Sequence, residues 1–153
     1  MKLIGKGGLS RFTEGMLIAM LALIPLLLIT LPWSITWITE RTPQDPQGYY
    51  NKYLIILSYS GVMAELILWQ ARGIMHNVNH SRVFSSDTVR RLRVAAVELM
   101  VLAVFYGATM FWMSKFFMAF LFVVFVLGGF MLLVLGELFR QANRYKEEND
   151  MTI

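Results

Sequence analysis

Apolar residues run along this chain in stretches too long for a soluble core, and short polar segments divide them. The first run goes from Gly15 to about Trp37. At about 1.5 Å per residue it is long enough to cross a hydrocarbon core roughly 30 Å thick. Pro25 and Pro32 lie inside it, and neighbouring helices can re-satisfy the carbonyls that proline frees, so a spanning helix kinked near Pro25 is predicted. The run outlasts the roughly 7–15 apolar residues of a secretory signal, and no small-x-small cleavage site follows it, so a retained span is expected. Ile38 to Asn51 is turn-rich, with Pro43, Pro46 and Gly48, and Trp33, Trp37, Tyr49, Tyr50 and Tyr53 bracket it like an interfacial aromatic belt. A second span extends from about Lys52 to Met75, interrupted by Glu65.

His76 to Arg93 is the only long polar segment between runs. Within it Phe84-Ser85-Ser86-Asp87-Thr88-Val89 carries the signals of a helix start. Ser85 can cap the amide of Thr88, Asp87 suits the positive end of the helix dipole, and Phe84 can staple onto Val89. Val94 to Gly136 is apolar almost throughout, too long for one span, and Ser114-Lys115 supplies the break. A third span then ends near Trp112, and a fourth covers Phe116 to Phe139 after a tight hairpin. Arg140 to Ile153 is a charged tail expected to continue the fourth helix for a few turns. The predicted fold class is all-α: an integral membrane four-helix bundle forming one domain over residues 1–153, with the lipid bilayer as its first partner.

Composition agrees, since hydrophobic residues make up 57% and charged ones 16% of the chain, against about 25% charge in soluble domains. There is no cysteine, which excludes disulfides and thiolate metal sites. The net charge of +4 is explained by placement. Eleven basic residues fall on one side: Lys2, Lys6, Arg11, Arg72, Arg82, Arg90, Arg91, Arg93, Arg140, Arg144 and Lys146. Only Arg41, Lys52 and Lys115 fall on the other. The positive-inside rule then puts both termini and the long loop in the cytoplasm, and the basic balance requires no direct nucleic-acid binding.

Three carboxylates lie in or beside the spans. Glu65 precedes Arg72 by seven residues, Glu98 follows Arg91 by seven, and Glu137 precedes Arg140 by three. An ionised carboxylate costs several kcal/mol in hydrocarbon, so each should face the bundle interior, take up a proton or find a partner. Glu65, Glu98 and Arg72 are the candidate intramembrane polar cluster, able to hold a proton, a cation or a basic segment. Snorkelling to the surface or pairing with nearby arginines is the plainer alternative. His76 and His80 have zinc-ligand spacing on a helix, yet two ligands make no metal site. Ser60 and Ala64, Ala103 and Gly107, and Gly128-Gly129 read as small residues for close helix approach. No nucleophile–base set, phosphate-binding loop or dinucleotide fingerprint occurs, so an enzyme is not expected, and no cofactor or metal is assigned.

Two stretches resemble a known family. Phe84 to Arg93 (FSSDTVRRLR) is similar to the loop-to-third-helix segment of the YoaS-like bacterial membrane proteins, and Lys146 to Ile153 (KEENDMTI) resembles their C-terminal ending. Met151 and Ile153 replace the usual leucine and valine conservatively. The resemblance implies a multi-pass bacterial inner-membrane protein of a family of unknown function, often encoded beside a small helix-turn-helix protein. It therefore implies a regulator that binds a small cytoplasmic DNA-binding partner. Phe84, Ser85, Arg90, Arg91, Glu147, Glu148, Asp150, Met151 and Ile153 are the candidate partner-binding residues. The alternatives are a small transport or ion-handling subunit, which as a homo-oligomer could line a pore, and an immunity protein against a membrane-active peptide.

Overall fold

Four helices follow one another in the computed structural model, which describes residues 8–41 and 46–150: α1 (Gly8–Thr39), α2 (Pro46–Asn79), α3 (Ser86–Thr109) and α4 (Lys115–Asp150). No strand occurs among the described residues, and all four helices are long and apolar enough to cross a membrane, so the all-α architecture stands. At about 1.5 Å per residue the 24 residues of α3 measure about 36 Å and the 36 of α4 about 54 Å, against a hydrocarbon core of about 30 Å. The surplus of α4 is its polar end.

The helices start and stop for local reasons. α1 remains helical through Pro25 and Pro32. Hydroxyls bond its own backbone along this stretch, with Thr30 Oγ1 on Leu27 O at 3.0 Å and Thr36 Oγ1 on Pro32 O at 2.8 Å. α2 ends in a Schellman arrangement. Ser81 is left-handed at φ 59°, the Arg82 N–H donates to Asn77 O at 2.8 Å, and the Ser81 N–H donates to Val78 O at 3.2 Å. α3 begins at once after Ser85, so the connection between α2 and α3 is only residues 80–85 and much of the expected polar loop is helix. The break between the third and fourth runs comes earlier than expected. α3 stops at Thr109, and the turn over 110–114 is closed by Trp112 N–H to Thr109 O and Met113 N–H to Thr109 O, each 3.0 Å.

Contacts run in series: α1 rests on α2, α2 on α3 and α3 on α4, with the α3/α4 seam the most extensive. α3 is accordingly the most buried helix, whereas no residue in the apolar window of α1 is fully buried. Lipid tails are as apolar as leucine, so close packing and hydrogen bonds hold such helices together. At Gly129 an added Cβ would come within 2.9 Å of Met100 Cε, and at Gly107 within 3.2 Å of the Phe122 ring, which is why α3 and α4 approach there. The core cluster is Ile56 and Met63 of α2, Leu102 and Tyr106 of α3, and Met118 of α4. Tyr59 stacks on Phe105 at 4.0 Å, and Ser60 Oγ lies 2.7 Å from the Tyr106 hydroxyl. A hydrogen bond of this kind is worth roughly 0.6 kcal/mol in a membrane protein.

Candidate functional site

The polar residues gather at the end of the helices that carries the 80–85 connection, and local capping builds the first part of the site. Ser85 is extended (φ −120°, ψ 154°), and its Oγ accepts from the Thr88 N–H at 3.2 Å, the expected N-cap of α3. Asp87 sits in the first turn, where a carboxylate suits the helix dipole. It accepts from Arg91 Nε at 2.8 Å and from Asn77 Nδ2 at 2.9 Å, while Arg90 is 3.9 Å away and exposed. Asn77 also donates to Thr88 Oγ1 at 3.1 Å, and Thr88 is fully buried. One asparagine at the end of α2 therefore locks the start of α3.

The network continues on both sides. Arg91 Nη1 reaches Gln70 Oε1 at 3.5 Å. Toward α1, Glu14 accepts from His76 Nδ1 at 3.2 Å and from Asn79 Nδ2, and Ser10 Oγ donates to Asn79 Oδ1. Toward α4, Glu137 meets Arg140 Nη2 at 2.6 Å and Arg93 Nη2 at 3.7 Å. The Phe84 ring lies 5.3 Å from the Phe139 ring on α4.

α4 then extends alone. Residues 144–149 are exposed, and Asn143 Nδ2 donates to Glu147 Oε1 at 2.9 Å and Arg144 Nε to Glu148 Oε1 at 3.2 Å along the helix. The described part of the tail is a continuous helix to Asp150, and among the described residues α4 contacts no helix but α3. The Asp150 side chain, Met151 and Ile153 lie outside the described residues.

Among the candidate membrane residues, the structure separates Arg72 from the acids. Arg72 stands over the Trp69 ring at 5.7 Å, and no ion pair among the described residues includes Arg72, Glu65 or Glu98. Glu65 and Glu98 each keep one buried carboxylate oxygen, Oε2, without a hydrogen-bond partner. The antiparallel register fixed by Tyr59–Phe105, Gly73–Arg91 and Asn77–Asp87 sets Glu65 opposite Leu99, beside Glu98, so the two acids share a depth. The His76 and His80 rings lie 4.1 Å apart at a tilt of 41°, and among the described residues no group of three His, Cys, Asp or Glu could hold a metal.

Gln70, Asn77, Asn79 and Glu14 join Thr88 in carrying the network, and sequence reasoning gave none of these four a role. Their only signal is polar residues recurring at Gln70, Asn77 and Asn79 near the end of an apolar helix.

A family described as "Protein of unknown function (DUF2975)" matches residues 15–153. No curated protein and no solved structure matches the chain. Residues 15–153 hold nearly all of the four helices, and on that extent of match the chain belongs to the DUF2975 family of proteins of unknown function.

Proposed function

We propose that this protein is a non-enzymatic regulator of a bacterial inner membrane, which holds a small cytoplasmic DNA-binding protein at the 80–85 connection and the projecting end of α4. The observation that carries this reading is the α4 extension. About three turns beyond the apolar segment carry Arg144, Lys146, Glu147 and Glu148, each exposed. A helix that continued only to end a span would need no such length. Phe84, half exposed on Phe139 at the base of the extension, adds an apolar anchor beside the charged surface.

The reading requires both chain ends and His80 to be cytoplasmic, as the basic residues favour. Reporter fusions after His80 and after Ile153 should read as cytoplasmic, and fusions between α1 and α2 as external. A photo-crosslinking residue at position 84 or 147 should then give one adduct with a soluble DNA-binding protein. An external readout at His80, or adducts with membrane proteins alone, would remove the proposal.

Ion handling is the second reading, and the unpaired Oε2 atoms of Glu65 and Glu98 at one depth favour it. Proton or cation flux into vesicles that is lost in both Glu65→Gln and Glu98→Gln would move the assignment there.

A further inference from the structure

We propose that the cleft between α2 and α3 at their polar end binds the phosphate of an anionic phospholipid. The cleft measures about 210 Å³ and is lined by Trp69, Arg72, Gly73, His76, Asn77 and Arg91. Two guanidinium groups face one space, and the fold positions each by a different device.

Arg91 is held from behind. Asp87 takes its Nε at 2.8 Å and Gln70 its Nη1 at 3.5 Å, and its side chain is only 25% exposed. The guanidinium crosses α2 at Gly73, where a Cβ would collide with Nη1, Cζ and Nε of Arg91. Glycine here keeps a channel in the α2 surface for this one side chain. Arg72 is placed over the Trp69 ring at 5.7 Å and belongs to no ion pair among the described residues. The carboxylates nearby are already engaged, Asp87 by Asn77, Arg90 and Arg91, and Glu14 by His76 and Asn79. Arg72 and Arg91 line the cleft and no carboxylate does, so it is positive, and a forked guanidinium matches phosphate geometry.

The source of the phosphate follows from what borders the cleft. Val62 and Leu66, exposed at i and i+4, lead along α2 to Trp69, which is 56% exposed. On α3, Val94, Val97 and Val101 form the matching exposed stripe beyond Arg91. Charge therefore sits where headgroups lie and an apolar track runs from it toward the membrane centre, the arrangement of lipid-headgroup sites between spanning helices. A soluble phosphate would use the charge and leave the track without purpose.

The test uses the full chain purified in dodecyl maltoside, with phosphatidylglycerol, phosphatidylcholine or inorganic phosphate added, read by native mass spectrometry and by thermal unfolding. Phosphatidylglycerol should be retained and should raise the unfolding temperature, and neither phosphatidylcholine nor millimolar inorganic phosphate should do so. Arg72→Gln removes one cation that no hydrogen bond of the network uses, and should weaken phosphatidylglycerol binding about tenfold. Gly73→Ala keeps every charge but displaces the Arg91 guanidinium, and should weaken it comparably. It decides the matter if Arg72→Gln does not fold. Arg144→Gln, a cation lost from the exposed tail, should bind like wild type. Equal retention of the two lipids, equal weakening by Arg144→Gln, or unchanged binding in the folded site variants would overturn the proposal. Stabilisation by inorganic phosphate equal to that by phosphatidylglycerol would overturn the lipid assignment.

Discussion

Asp87→Ala is the substitution whose cost the structure defines best. It removes the acceptor of two hydrogen bonds, from Asn77 at 2.9 Å and from Arg91 at 2.8 Å, together with the carboxylate in the first turn of α3. A neutral bond contributes about 1 kcal/mol, a bond to a charged group somewhat more, and the dipole about 0.5 kcal/mol. The side chain is 42% exposed, so solvent screens part of the ionic share, and a net loss of about 2 kcal/mol is expected. For a chain of 153 residues that is a fall in unfolding temperature of about 4–8 °C. Ser85→Ala removes one cap and should cost about 1 kcal/mol, half as much. The two losses should not add. Asn77 bonds both Asp87 and Thr88, and the Thr88 hydroxyl is 3.0 Å from Ser85 Oγ, so each change weakens the other's partners. Tryptophan fluorescence during heating in dodecyl maltoside measures all three variants. A loss at Asp87 no larger than at Ser85, or strict additivity, would refute a shared network at the start of α3.

Three further outcomes follow from the geometry. Ser81→Gly should raise stability by about 0.5–1 kcal/mol, because Ser81 is left-handed at φ 59° and glycine adopts that region without steric cost. An unfolding temperature that stays level or falls would speak against that end of α2. A Cβ on Gly136 would lie 3.6 Å from Leu92 Cβ, so Gly136→Cys with Leu92→Cys should form a disulfide on mild oxidation, in a chain with no native cysteine to interfere. Failure to cross-link while both thiols react with a maleimide would contradict the α3/α4 register. Glu65→Gln should express and survive heating better than Glu65→Lys, which sets a cation inside the membrane beside lipid tails, and equal wild-type behaviour would mean that Glu65 faces water.

What the sequence disclosed about this fold was local or compositional. Four apolar runs disclosed four helices, because a span must be long and apolar before anything else. The cap of α3 was legible as well, since Ser85, Asp87 and Thr88 lie within one turn and their bonds need no distant partner. The end of α3 was not legible. Residues 110–114 are as apolar as the helix before them, and only backbone bonds back to Thr109 mark the turn. The network between helices was hidden for a different reason. Asn79 with Glu14 joins residues 65 apart, and Arg91 with Gln70 joins residues 21 apart, so neither pair has a spacing that a helical pattern can reveal. Glu98 illustrates the consequence: the nearby arginines were its natural partners in sequence, yet no ion pair among the described residues includes it.

The claim that the projecting end of α4 is a docking element is tested most directly by deleting Glu147 to Ile153. Among the described residues α4 packs on α3 alone, and the deletion removes the Asn143–Glu147 and Arg144–Glu148 bonds at the exposed end of the helix. Membrane insertion, yield and unfolding temperature in detergent should therefore stay within about 2 °C of wild type, as expected when only exposed helix-end pairs are lost. Any soluble DNA-binding protein that co-purifies with the full chain should be absent from the same preparation. A truncated protein that remains as stable as wild type and still brings the same soluble partner out of the membrane fraction would contradict the account.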